Sequence, residues 1–482
     1  MAIDFNAWLQ SQDAIRCIIV DVGVKVGVSE ITRYLSTAAY STPSVVYNPI
    51  LNAESVQFIE RLNINGSSSI SFGDLEIFNV DGALDAWLKD VWSNRTILVR
   101  IGDPRWVVAD FVTIMDGVVE DIDSKNAELL NLKIRDKLQR LNSAMSETVL
   151  GGSTLNKAEL IPLTFGECFN VTPLLTDPAT LEYQVHNGPV ENIIEVRDNG
   201  VPVSVTKFLS TGKFTLNAQP AGKVTVSIQG DKDTTYKNKC ADLIERIVTD
   251  FAGTQAFTAG DIDSGNFSAF NLANTQPFGV YLKSRENAIT VIEDLASSIG
   301  AQVSMSRIGK LRIIKIELPA PGTAFEIDSD DIVDDTFMVS DKLEVSAAYK
   351  LGFCKNWTVQ ADLQTGIPAN HKELYAQEWM SSLAEDTTVK TDYKLTSEPK
   401  LVESYLLVES DAVTESNRIL DLFKVPRFVV EFTGTAKLIQ LELGQAVNIT
   451  YPRFDCESGK AGMVIGLAIN WNDMTVKVEV LI

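Results

Sequence analysis

The sequence predicts a mainly β protein of several domains with smaller α+β parts, and three observations carry that prediction. At 482 residues the chain exceeds what one core supports, because single cores stop growing near roughly 250 to 300 residues. Apolar residues alternate with period two towards both ends, as in Phe428, Val430 and Phe432 or Val476, Val478 and Val480, and that period buries one face of a strand. Helical spacing is confined to short stretches between them. The expected divisions are 1–150, an N-terminal β-barrel or sandwich; 151–232, a small all-β insertion; 233–318, an α+β domain; and 319–482, a helical and loop segment followed by a C-terminal β-barrel domain.

In the first segment a β run lies between Ser69 and Asn79. Asp81-Gly82 then opens a short helix with Ala83, Leu84, Trp87 and Leu88 on one side, Asp81 serving as an N-cap that accepts from the free amides of the first turn. The chain returns to strand from Thr96 to Ile101, turns at Gly102-Asp103-Pro104-Arg105, and continues in the apolar run Trp106 to Met115. Proline presets φ for that turn. A loop begins at Gly151-Gly152-Ser153, and Ile161 to Gly230 read as a compact β module. Within it Asp198-Asn199-Gly200 is a strong hairpin signal, because both central residues tolerate positive φ. A second hairpin is expected from Phe214 and Leu216 through Pro220 to Gly222 into Val224, Val226 and Ile228.

The period then changes. Cys240, Leu243, Ile244, Ile247, Val248 and Phe251 recur at helical spacing and stop at Gly253, and a second helix from about Arg285 turns Ile289, Ile292, Leu295, Ala296 and Ile299 inward and ends at Gly300, glycine being the usual helix terminator. Val303 to Ser306 and Leu311 to Ile316 flank Ile308-Gly309-Lys310 as a hairpin. The last segment holds a helical stretch around Lys372 to Leu383 and a helix from Asp411 to Phe423. It ends in strands: Phe428 to Phe432, Ile439 to Leu443, Val447 to Tyr451, and a closing hairpin of Ile465 to Trp471, a turn at Asn472-Asp473, and Val476 to Ile482. A strand that reaches the last residue is expected to be tied into a sheet.

Composition narrows the function. A hydrophobic fraction of 45% and a charged fraction of 22% are those of globular chains. The formal charge of −22 and pI of about 4.6 argue against ordinary nucleic-acid binding, which needs an excess of Lys and Arg. DNA could still pass, since a carboxylate-lined channel repels phosphates. Met1 to Asp13 lacks the pattern of a secretory signal, and no apolar run approaches the roughly 20 residues of a spanning helix. Synthesis in the cytosol without membrane anchoring is therefore expected. Cys17, Cys168, Cys240, Cys354 and Cys456 are too scattered for a disulfide framework or a metal site and read as core thiols. Six Asn-x-Ser/Thr triplets read as chance matches rather than glycan sites.

No reaction centre stands out. The two histidines, His186 and His371, belong to no metal-binding pair and are expected in surface or loop positions. No Gly-x-Ser-x-Gly elbow or phosphate-gripping glycine loop occurs. With 64 Asp and Glu residues, a pair of catalytic carboxylates is not specific. The acidic runs Asp328 to Asp335 and Asp261 to Asn266 lack the closing glutamate of a calcium loop and read as solvated. Trp87, Trp92 and Trp106 lie within apolar patterns and read as core and interface anchors. No catalytic residue, cofactor or metal site is expected.

Four stretches carry a resemblance. They are Phe72-Gly73-Asp74-Leu75-Glu76 through Ile101-Gly102-Asp103-Pro104-Arg105-Trp106; Leu163 to Leu175 with Tyr183-Gln184-Val185-His186 and Val196 to Pro202; Arg307-Ile308-Gly309-Lys310-Leu311-Arg312 with Tyr349 and Lys355 to Gln360; and Lys424-Val425-Pro426-Arg427-Phe428, Leu441 to Val447, Arg453-Phe454 and the closing hairpin. In this order they resemble the hub proteins at the tail tip of long-tailed, non-contractile phages, which share the fold of the central hub of contractile tails. The resemblance implies a multidomain tail-hub fold with two similar β-barrel or sandwich domains. It also implies a homotrimer in which those domains alternate around a pseudo-sixfold ring, joining a sixfold tail tube to a threefold tip and letting DNA leave through the centre. The implied partners are other copies of the chain, the distal tail protein, the tape-measure protein and central fibre or tip proteins, and the implied location is the virion. Trp106, Arg427 and Arg453 are candidate interface residues, with core packing the competing role for Trp106 and local ion pairing for the arginines. A receptor- or carbohydrate-binding tail protein and a peptidoglycan hydrolase are the alternatives.

Overall fold

The computed structural model describes residues 4–11, 13–64, 71–318, 324–361, 363 and 365–482. The fold is mainly β, with several sheets and short helices. It forms two compact units, each assembled from separated stretches of chain. The first unites Met1–Arg140, Gln302–Glu344 and Pro426–Ile482; the second unites Leu141–Ala301 and Val345–Val425.

The first unit is built on one large sheet. Its strands run in the order Ser29–Ser36, Cys17–Val26, Thr96–Gly102, Val112–Asn126, Leu129–Arg135, Phe72–Phe78, Gln57–Arg61, Lys460–Asn470, Thr475–Leu481, Phe428–Gly434 and Met338–Lys342. Ala446–Ile449 joins at Lys460–Asn470 and carries Phe325–Ile327 in parallel. The alternation seen in the sequence is what gives the sheet a dry face: Val430 and Phe432, like Val476, Val478 and Val480, are almost wholly buried. Phe428 and Ile482 exchange backbone hydrogen bonds of 3.2 and 2.9 Å, so the last residue is tied in as expected.

One topology is used twice in this unit. Towards the N-terminus a strand (72–78), a 3-10 turn (85–89) and strands 96–102, 112–126 and 129–135 follow one another; towards the C-terminus the series is 428–434, 436–440, 446–449, 460–470 and 475–481. The antiparallel pairings correspond as well. Strand 72–78 lies on 129–135 as 428–434 lies on 475–481, and 96–102 lies on 112–126 as 446–449 lies on 460–470. Even the register shift of the long hairpin recurs, between Val119 and Asp121 in one copy and between Val464 and Gly466 in the other.

The second unit contains a two-sheet module. Strands Val201–Val203, Val190–Asp198, Val224–Asp231, Leu163–Val171 and Gly279–Leu282 form one sheet, and Leu174–Asp177, Glu182–Gln184, Lys213–Leu216 and Val205–Phe208 form the other. Both sheets feed one core that contains Cys168, Val226 and Ile228 from the first and Tyr183 and Phe214 from the second. Tyr183 and Phe214 stack at 5.3 Å. Helices Cys240–Arg246, Ser264–Ala273 and Ala288–Ser297 follow, and helix Glu409–Phe423 packs on strands Ala348–Phe353 and Met380–Glu385.

Several local expectations are corrected. Residues 69 and 70 of the first β run lie outside the described residues, and its strand is Phe72–Phe78. Asp81 caps a turn by accepting from the Ala83 amide at 3.1 Å, while the helical residues are a 3-10 turn over Asp85–Lys89 whose approach is held by Asn79. The run from Trp106 begins with a second 3-10 turn, so the strand starts at Val112. The hairpin at Asn199-Gly200 forms with Asp198 opposite Val201, but Pro220 to Gly222 joins no hairpin. It carries the chain from the second sheet of the module to the first, and the Asp198 carboxylate accepts from the Ala221 and Gly222 amides at 2.6 and 2.7 Å. Around Lys372 to Leu383 the helix covers Ala369–Ala376 and a strand follows from Met380. Ile439, Leu441 and Leu443 are buried without forming a strand, because a 3-10 turn occupies Ala436–Gln440.

Candidate functional site

Three separated stretches of the first unit meet around one buried ion pair. Glu60 lies on strand Gln57–Arg61 and is 6% exposed, too little to be hydrated. Arg307 enters from the turn of the hairpin, and its Nε donates to Glu60 at 3.0 Å. Its Nη1 donates to the Ile439 carbonyl at 2.7 Å and its Nη2 to the Leu441 carbonyl. Ile439 lies in the 3-10 turn and Leu441 just after it, both outside the ladder, so these carbonyls need donors from elsewhere, and the planar guanidinium supplies both at once. Burial pushes the Glu60 carboxyl up, and Arg307 opposes the shift. Beside the pair is a cavity of about 160 Å³ lined by Leu9, Ile114, Met305, Leu443 and Trp471. The arrangement is a cross-link between chain segments, since the polar groups of Arg307 are spent on protein partners.

The candidate interface residues occupy different settings. Trp106 is half-buried, packs on Trp8 with ring centres 4.7 Å apart and accepts the Tyr40 hydroxyl on its carbonyl at 3.0 Å. Arg427 is half-buried and precedes the strand that pairs with the C-terminus, and burial lowers the pKa of its guanidinium. Arg453 is exposed and lies over the Phe454 ring at 4.9 Å. Phe454 in turn belongs to a ring stack that sequence reasoning missed, with Phe337 at its centre, 5.6 Å from Phe432, 4.2 Å from Tyr451 and 5.9 Å from Phe454. No periodicity announces it, because Phe337 and Tyr451 lie in loops 114 positions apart.

His186 is a correction. Expected in a surface or loop position, it lies in the loop between strands Glu182–Gln184 and Val190–Asp198 but is fully buried in the second unit. Its Nδ1 accepts from the Thr164 amide at 3.0 Å and its Nε2 faces Asp231 at 3.3 Å, while Arg246 donates to the same carboxylate at 2.7 Å. Burial would raise the Asp231 carboxyl, but His186 and Arg246 outweigh it and leave it below its ordinary value. The histidine and aspartate do not form a catalytic pair, because Nδ1 is occupied by backbone and Thr164 Oγ1 donates to the Val185 carbonyl at 2.7 Å, which leaves no nucleophile on the imidazole. His371 sits on helix Ala369–Ala376. Cys17, Cys168, Cys240 and Cys456 are buried and Cys354 is half-buried, all as free thiols.

The second unit also holds a cavity of about 290 Å³ with Trp357, Tyr405, Lys355 and Asp294 on its walls. Lys355 Nζ lies 4.5 Å over Trp357 and 4.7 Å over Trp379. Burial raises the Asp294 carboxyl, with Glu403 and Glu286 adding to the shift. Among the described residues no cluster of His, Cys, Asp or Glu is placed to hold a metal ion, and no helix is long and apolar enough to cross a membrane.

By sequence, no family model and no curated protein matches the chain. Solved structures to which it is similar include tail proteins. They include the 43 kDa tail protein of a Shewanella oneidensis prophage, at 10% identity over 96% of this chain and 98% of that one with a TM-score of 0.40. A tail protein from Neisseria meningitidis is 10% identical over 96% of each chain with a TM-score of 0.41. A prophage tail protein from Listeria monocytogenes is 9% identical over 96% of this chain and 94% of that one, also with a TM-score of 0.41.

Proposed function

We propose that this chain is a structural protein of a phage virion, the hub of the tail tip, and that it acts as a homotrimeric ring rather than as an enzyme. The observation that supports this reading is the topology used twice in one sheet, with matching pairings and a matching register shift. A chain that carries two equivalent modules can present six of them in three copies, which is what an adaptor between a sixfold tube and a threefold tip requires. On this reading the modules belong to segments 1–150 and 319–482, and segment 151–232 is an outward insertion that meets a neighbouring tail protein. The distal tail protein, the tape-measure protein and central fibre or tip proteins are its partners. DNA passes through the ring, and the formal charge of −22 on each chain keeps phosphates from adhering.

Light scattering of the purified chain tests the reading: a mass of three times 52.9 kDa, with a threefold ring in negative stain, is expected. A monomer at every concentration would overturn it. The cavity with Trp357, Tyr405, Lys355 and Asp294 favours a carbohydrate-binding tail protein as a second reading, because it sets aromatic faces beside both donors and acceptors. Saturable binding of cell-surface saccharides by the isolated chain would support it. A cleared band in zymography on host cell wall would instead establish the hydrolase alternative.

A further inference from the structure

The two modules touch each other inside the chain through a specific pair of strand edges, and the duplication indicates where that contact recurs between chains. Strand Gln57–Arg61 of the first module lies antiparallel on the second half of Lys460–Asn470, with Gln57 opposite Asn470, Phe58 opposite Ile469 and Arg61 opposite Gly466. The equivalent of each participant follows from the ladders. Gln57 pairs with Asp74 and Phe58 with Gly73, as Met338 pairs with Glu431 and Val339 with Val430. Strand Met338–Lys342 is therefore the second module's counterpart of Gln57–Arg61. Past the register shift of the long hairpin Asp121 to Ser124 correspond to Gly466 to Ile469 and Asn126 to Asn470, with Lys125 the extra residue of a second shift between Ser124 and Asn126.

Both counterparts are unpaired at the edge in question. Among the described residues Met338–Lys342 is the last strand of the sheet path and pairs only with Phe428–Gly434, and four of its five residues are exposed. Strand Val112–Asn126 pairs on one side with Leu129–Arg135 from Val118 to Asn126 and on the other with Thr96–Gly102 only as far as Val118. Beyond it, among the described residues, no strand covers the second edge of residues 121–126. An uncovered edge offers a row of amides and carbonyls to another chain.

We propose that strand Met338–Lys342 of one copy adds antiparallel to the edge of residues 121–126 in a second copy, with Val339 opposite Ser124 and Met338 opposite Asn126. This rests on the ring reading and names its interface. The contact is head-to-tail, since it joins two different edges, and it repeats the intrachain contact. The modules therefore alternate around the assembly with one kind of junction throughout.

Cysteine cross-linking on the full chain tests the pairing. The double variant M338C/N126C, oxidised at the concentration where the assembly forms, is expected to give covalent oligomers on a non-reducing gel. M338C alone, N126C alone and the unsubstituted chain with its five native cysteines should not. Hydrogen exchange of the unsubstituted chain supplies a second readout, with slower exchange over 338–342 and 121–126 in the assembly than on dilution to monomer. A trimer that shows neither the cross-link nor the protection would overturn this interface and leave the hub reading standing; a chain that never assembles overturns both.

Discussion

At the scale of single residues, buried charge decides where this protein is vulnerable. Arg307 serves a carboxylate and two carbonyls at once, so R307A leaves Glu60 ionisable in a dry site and two acceptors unsatisfied. Loss of about 3–5 kcal/mol of stability is expected, read as a lower urea midpoint with unchanged slope. Asp136 behaves differently. It is 2% exposed, and burial pushes its carboxyl up to about 7 although the Ser71 and Leu138 amides donate to it. A carboxyl raised on folding binds more protons in the folded state, so its contribution is most favourable at acid pH and declines as pH rises from about 4 to about 7. The melting temperature of the wild-type chain relative to D136N should therefore fall across that window and level off above it; a flat difference would contradict the assignment.

At the scale of elements, close backbone approach sets the tolerance of the sheets. Gly166 and Gly279 face each other across strands Leu163–Val171 and Gly279–Leu282. Gly166 has φ of 63°, and a Cβ there would lie 1.9 Å from the Phe278 carbonyl oxygen. G166A is expected to cost at least about 2 kcal/mol through strain and overpacking, and to speed hydrogen exchange in both strands before the rest of the unit. Elements whose instructions are local were legible in the sequence. Asn199-Gly200 forms its hairpin because both residues take positive φ, at 48° and 85°, and Gly253 and Gly300 end their helices in the same region. Pro220 to Gly222 carried turn chemistry just as clear, yet which strands flank a turn does not say which strands pair. Phe214 found its partner in Tyr183, and Val224 found its own in the strand Val190–Asp198.

At the scale of the whole molecule, the proposed ring would couple charge to assembly. Each copy brings a formal charge of −22, so a ring of copies is opposed by like-charge repulsion that salt screens, with a Debye length of about 8 Å at physiological ionic strength. Raising sodium chloride should tighten the oligomer and lower the concentration at which the light-scattering mass rises, whereas an assembly held by complementary charges would loosen.

The sequence by itself determined the β class, the acidic surface chemistry, the closing hairpin with its paired C-terminus, and the helices that end in glycine. These follow from periods of two and 3.6 residues and from residues with unusual backbone freedom, all of which act within about a dozen positions. Only the tertiary structure decided that the first and last strands share one sheet, that Arg307 ties Glu60 to the loop after Gly434, that His186 is interior, and that Phe337 and Tyr451 stack. Those outcomes depend on which burial and hydrogen-bonding demands of distant segments satisfy one another, and that is a property of the assembled chain rather than of any window of it.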